Sequence, residues 1–226
     1  MMRKLSTILL ILFLLTSCLS TENVNTLSEF QATKLKEALI DCELQALNDL
    51  DVNDIAKQCS EKLKLNETIT AYSFLPQYDV LVQEYKDSFT ALFNRVLVYE
   101  LPNIKTRIRN LEIKDPEQLV NNGYQSVSWE IESLYKAEIV KEVYELIQTY
   151  QEQFIAETFK ALETETMIWK TNQDVLNKIK AVTAYPTITA ISLENSAKAL
   201  TEELLAQLAF SEQRVRTKTS LELIYV

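Results

Sequence analysis

The chain has 226 residues, 47% of them apolar, with one glycine, no histidine, and 32 acidic against 23 basic side chains. A single glycine, where roughly 7% is usual, excludes phosphate-cradling loops, dinucleotide-binding turns and nucleophile elbows, and it disfavours β-sandwiches and barrels with their many tight turns. The missing histidine removes the commonest general base and transition-metal ligand, and a net charge of −9 makes a poor partner for nucleic acid.

The N-terminus reads as an address. Arg3 and Lys4 precede the uncharged run Leu5–Leu15, which is shorter than the ~20 residues of a membrane-spanning helix and fits a signal-peptide core. It leads into Leu15-Thr16-Ser17-Cys18, which resembles a bacterial lipobox. Residues 1–17 are therefore the expected signal peptide, and Cys18 is the expected lipidated first residue of the mature protein. Acyl chains there, palmitate among them, would hold it to the bilayer at ~0.8 kcal/mol per buried CH₂. Leu19 follows where an aspartate would signal retention at the inner membrane. This favours the periplasmic face of the outer membrane in a host with two membranes. Loss of Arg3 and Lys4 moves the net charge from −9 to −11.

Residues 18–26 are a polar tether, 27–216 a helical domain and 217–226 an apolar tail. Ser28 and Gln31 form a capping box before a stripe of Leu35, Leu39, Cys42, Ala46 and Leu47. A turn at Asp49–Asp54 precedes a shorter helix carrying Ile55, Ala56, Cys59 and Leu63. Residues 66–75 have no clear period. Pro76 opens the cleanest helix, through Tyr78, Val82, Tyr85, Phe89, Leu92, Phe93 and Val96, at spacings of three and four. Pro102 is expected to start a separate basic helix, and Asp115-Pro116 reads as an N-cap followed by proline. Gly123 is expected to end that turn as a left-handed residue. The pattern resumes at Ser126, with a break expected near Ser133, and continues through Ile139, Val143, Ile147, Tyr150 and Phe154. Another stretch carries Leu162, Trp169 and Leu176 as far as Pro186. Ser192 caps the last long helix, lined by Ala197, Leu200, Leu204 and Leu208 and ending in Arg214, Arg216 and Lys218. The fold expected is all-α, a single multi-helix bundle of about seven or eight helices.

Cys42 and Cys59 lie on the stripes of successive helices, and an antiparallel hairpin would bring them together. In an oxidising compartment they are a disulfide candidate, closing a loop of about 17 residues worth ~3 kcal/mol; two buried free thiols are the alternative. Asp49, Asp51 and Asn53 match the opening of a calcium-binding loop. Asp54, however, stands where that loop needs glycine, and Ser60 where it needs a bidentate glutamate. Ser133-x-x-Lys136 spells an acyl-enzyme motif without its companion elements. Glu138, Glu142, Glu145, Glu163 and Glu165 lack the histidines of a di-iron site and read as a solvated face. No catalytic residue, firm metal site or cofactor is assigned.

A ligand or partner surface is sought among Tyr124, Trp129 and Tyr135, in the least regular segment, and among Lys105, Arg107 and Arg109, the one local positive field. Aromatic rings with polar tips suit such surfaces, although most of the chain's aromatics stand on core stripes.

Several segments in register resemble a family of uncharacterised bacterial exported proteins, often lipoproteins, that fold as all-α domains. Lys34-Leu35-Lys36-Glu37-Ala38-Leu39 resembles that family's LKEAL stretch, and Phe93-Asn94-Arg95 with Leu101-Pro102 its MNRAAE helix and following proline. Leu111 to Asp115 resembles its MTIxDA turn, Ser126 to Tyr135 its aromatic helix, and Glu194 to Arg216 its closing helix. The family's glycine-rich stretch before the central helix is replaced here by residues 66–75. The resemblance implies fold and location, not activity.

The expected function is a non-enzymatic helical binding module of the cell envelope. It is anchored to the lipid bilayer through Cys18 and takes an envelope protein or an apolar ligand. An envelope hydrolase or metal-dependent enzyme and a calcium-stabilised binding module are the alternatives.

Overall fold

The helical periodicity becomes eight helices in the computed structural model, which describes residues 27–177 and 185–219. They are α1 (Glu29–Asn48), α2 (Val52–Glu61), α3 (Glu67–Thr70), α4 (Tyr78–Arg109), α5 (Pro116–Asn121), α6 (Ser126–Phe154), α7 (Ala156–Asn177) and α8 (Leu193–Lys218). Among the described residues there is no strand, and no helix is long and apolar enough to cross a membrane. The expected signal peptide, Cys18, the tether to residue 26 and most of the tail lie outside the described residues.

Local chemistry sets the helix boundaries. Ser28 and Gln31 close a reciprocal capping box, and Asp51, Asp115 and Ser192 each accept a backbone N–H of the helix they precede. Such caps contribute about 1 kcal/mol apiece. Gly123 has φ +108° directly after the C-cap Asn122, the conformation in which a Cβ is penalised.

The apolar stripes meet in one core. Leu35, Leu39, Phe89, Leu92, Ile104, Ile131, Ile139, Val143, Leu200 and Leu204 are all completely buried. α8 packs against α1, α2 and α6, while α4 packs against α1, α2, α6 and α7.

Two expected breaks are absent. Pro102 lies inside α4, which runs on to Arg109. Proline removes one backbone hydrogen bond at a cost near 3 kcal/mol, but Leu97, Ile104 and Ile108 on either side are fully buried. Burial of roughly 2 kcal/mol per such side chain outweighs the loss. Ser133 lies on the solvent side of an unbroken α6, where serine costs only about 0.5 kcal/mol relative to alanine.

The expected hairpin of the first two helices is also corrected. The turn after α1 bends the chain without reversing it, so α1 and α2 follow one another along α8, both antiparallel to it. Burial pushes the Cys42 thiol up, and its neighbours are Thr219, Arg216 and Glu212, at the C-terminal end of α8. Cys59 donates to the Ala199 carbonyl at 3.6 Å, near the N-terminal end of the same helix. Arg216 and Ala199 are separated by about 25 Å of helix at 1.5 Å per residue. A disulfide needs Cα atoms within about 7 Å. Both cysteines are buried free thiols.

The same geometry orients the molecule. α2 runs antiparallel to α4, with Asn53 against Asn94 and Ser60 against Thr90. α1, in line with α2, therefore packs along the C-terminal part of α4 and onto α5. The start of α1 lies at one end of α4, and α3 with the segment after Tyr185 lies at the other. α4 itself is about 48 Å long at 1.5 Å per residue.

Candidate ligand cleft

At the end of α4 far from the start of α1, an aromatic nest is assembled from three parts of the chain. Tyr72 follows α3, Trp169 stands on α7 and Tyr185 precedes Pro186, while Phe74 lies beside them. The Trp169 ring meets Tyr185 edge-on with centroids 4.5 Å apart, Phe74 at 4.9 Å and Tyr72 at 6.1 Å. These are the offset and T-shaped arrangements that ring quadrupoles favour.

Polar groups pin the chain between α7 and α8 to this nest. Tyr72 donates its hydroxyl to the Pro186 carbonyl at 2.6 Å, and Asn66 donates to the Thr189 carbonyl at 2.8 Å. The Ile191 N–H donates to the Tyr85 hydroxyl at 3.2 Å. Residues 66–75, without a readable period, are thus the socket for residues 186–191.

Next to the nest opens a cleft of about 470 Å³, within the range of small-molecule sites. One face of α7 forms a wall, with Lys160, Glu163, Thr164, Met167, Lys170 and Thr171 at helical spacing. Tyr72, Thr187 and Ile188 close the other side. Met167 is 70% exposed and Phe74 51% exposed, so apolar surface lies open at the rim. Lys160 has no carboxylate oxygen within 4.0 Å among the described residues. A second groove, about 570 Å³ between α2 and α4 and lined by Phe154, is shallower. Its Asn94 and Thr90 are already hydrogen-bonded to Asn53 and Ser60.

The residues singled out in the sequence do not converge on the cleft. Tyr124 lies over the Arg216 guanidinium at 5.7 Å and Tyr135 over that of Arg107 at 5.8 Å. Trp129 is half exposed on α6. Tyr135 lines a separate groove of about 520 Å³ with Ile113, Leu119 and Leu134. Lys105 and Arg109 remain at the C-terminal end of α4, but Arg107 is no free cation. It donates to Glu100 at 3.0 Å and Glu142 at 2.7 Å, with Glu138 at 3.6 Å. Glu142 therefore belongs to an ion-pair network rather than to a solvated face. The calcium candidates diverge. Asp51 caps α2, Asn53 accepts from Asn94, and Asp49, at the end of α1, is 4.0 Å from Arg214. No group of three potential metal-ligating side chains converges among the described residues.

Two buried acid clusters escaped the sequence reading. In the first, Glu212 of α8 accepts the N–H groups of Val127 and Ser128 at 3.2 and 2.9 Å. It thereby caps α6, whose own N-cap residue, Gln125, makes no side-chain cap. A carboxylate suits that helix end, where free N–H groups and the dipole are positive. Arg216 donates to Glu212 at 2.8 Å and to Ser126 at 2.9 Å, and Ser128 donates to Glu43 at 2.8 Å. Glu43, Glu212 and the Arg216 side chain are sealed from solvent. Burial, and then the neighbouring Glu212, pushes the Glu43 carboxyl well above the usual range; Ser128 and Arg216 oppose this.

In the second cluster, Glu100 is also fully buried. Burial is the largest cause, with Glu142 adding to it, of a carboxyl pushed up to about 7 against the pull of Asn103 and Arg107. The first cluster is sealed from solvent; in the second only Glu100 is, while Glu142 and Glu138 reach the surface, and both clusters bind helix to helix. Their signal was present in the sequence: Glu43, Glu100, Glu212 and Arg216 fall in register with core stripes, as in Leu39-Glu43-Leu47 and Leu208-Glu212-Arg216. Charged residues at such positions need partners.

No family model, curated protein or solved structure matches the chain.

Proposed function

We propose that this chain is a non-enzymatic binding module of the bacterial cell envelope, lipid-anchored through Cys18, and that the cleft on α7 is its binding site. The observation that carries the reading is the cleft itself. It is ligand-sized, apolar at its rim, backed by four aromatic rings, and lined by charged and hydroxyl side chains. Such concave, mostly apolar sites with a few polar groups are the usual form of small-molecule pockets.

The orientation of the bundle supports it. On this reading the tether joins the bundle at the start of α1, and the cleft lies at the far end of α4. The family resemblance to exported helical lipoproteins points to the same location.

The binding test uses the mature chain with Trp129→Phe, which leaves Trp169 as the one tryptophan of the two. Titration with the neutral dye N-phenyl-1-naphthylamine is expected to give saturable energy transfer from Trp169, and a linear, non-saturating response overturns the cleft as a site. For the anchor, Cys18→Ala is expected to move the protein from the membrane to the soluble fraction of the producing cell. Continued membrane association overturns it.

A further inference from the structure

The cleft carries more information than its shape. Within an acidic protein of net charge −9, its lining holds two cations, Lys160 and Lys170, against one carboxylate, Glu163. The lysines stand ten residues apart on α7, about 15 Å at 1.5 Å per residue, so they bracket the cleft lengthwise. Elsewhere Lys34 with Glu37, Lys62 with Glu203, Lys136 with Glu132 and Lys198 with Glu194 form ion pairs between 2.7 and 3.0 Å. Lys160 is not paired with Glu163 one turn away, nor with another carboxylate among the described residues. Between Lys160 and Lys170 on α7 lies Met167, 70% exposed, which offers apolar contact and no charge.

We infer that the cleft takes an organic anion with an apolar body, such as an aryl or alkyl carboxylate. Its charge sits against Lys160 or Lys170, and its body against the exposed Met167 and the edge of Ile188, with the buried Tyr72 behind them. Glu163 limits the ligand to a single negative charge, because a second would lie beside a carboxylate in a partly water-excluded cleft. The inference rests on the binding reading above and narrows it to a chemical class. The long lysine stems allow the ammonium groups to follow the ligand while their methylenes extend the apolar wall.

The test compares two dyes on one scaffold: 8-anilino-1-naphthalenesulfonate, which is anionic, and neutral N-phenyl-1-naphthylamine. Both are titrated into the mature Trp129→Phe chain with Trp169 as reporter. The anionic dye is expected to bind at least ten-fold more tightly than the neutral one and to weaken as NaCl is raised. Lys160→Gln with Lys170→Gln is expected to remove that advantage, weakening the anionic dye far more than the neutral one, while the far-ultraviolet circular dichroism stays unchanged. Equal affinities for the two dyes, or an advantage that survives the double substitution, overturn the anion inference and leave the binding module standing. Failure of both dyes to saturate overturns the binding module itself.

Discussion

The two ends of this bundle use charge in opposite ways. Where α6 begins, Glu43, Glu212, Arg216, Ser126 and Ser128 are buried and bonded to one another or to backbone N–H groups. At the far end, Lys160, Lys170 and Glu163 line an open cleft, and Lys160 holds no acid among the described residues. Charge closed on itself fixes helices in place. Charge left without a partner beside aromatic rings is available to a ligand. The contrast separates what holds the molecule together from what it is built to meet.

The largest effect is expected at the closed end. Arg216→Met removes the cation and leaves Glu212 buried beside Glu43, and loss of one member of a buried pair costs about 3–5 kcal/mol. Urea unfolding at pH 7 should show that loss, while Lys160→Gln with Lys170→Gln should stay within about 0.5 kcal/mol of wild type, as exposed substitutions do. Similar losses at both ends would break the contrast.

A smaller, pH-dependent effect sharpens it. The Glu100 carboxyl stands at about 7 in the folded protein, above the ~4.3 of an unfolded glutamate. The folded state therefore holds the proton more tightly. The stabilisation this gives is complete below the unfolded value and is lost as pH rises toward 7, about 4 kcal/mol in all at 1.36 kcal/mol per pH unit. Glu100→Gln, which keeps an acceptor for Arg107 without the titration, should flatten that decline. Urea midpoints between pH 4.5 and 8 measure it, and parallel curves for variant and wild type would contradict the assignment.

The all-helical fold was legible because apolar residues every three to four positions leave few alternatives, and because caps at Ser28, Asp51, Asp115 and Ser192 mark helix starts chemically. Gly123 was legible for the same reason: with one glycine in the chain, a left-handed residue after a short helix had one natural occupant. What periodicity does not carry is the direction in which successive helices are laid. A turn at Asp49–Asp54 serves equally for a hairpin and for a bend, and that choice separated Cys42 from Cys59. Local propensity reads Pro102 and Ser133 as breaks, and burial along α4 and α6 overrides it. The cleft was not legible because its walls come from three segments, one of them residues 66–75, whose irregularity concealed a socket. Aromatic residues alone pointed to Tyr124, Trp129 and Tyr135. The rings that gather at the cleft are Tyr72, Phe74, Trp169 and Tyr185, brought together by tertiary contact.

The central claim, that ligand recognition belongs to the open end and cohesion to the closed one, is tested most directly by amide hydrogen exchange with and without saturating 8-anilino-1-naphthalenesulfonate. Slower exchange is expected, confined to α7 from Lys160 to Thr171 and to the chain around Ile188, with Val127 to Ile131 already protected and unchanged. Protection gained at the start of α6, or at neither end, would contradict it.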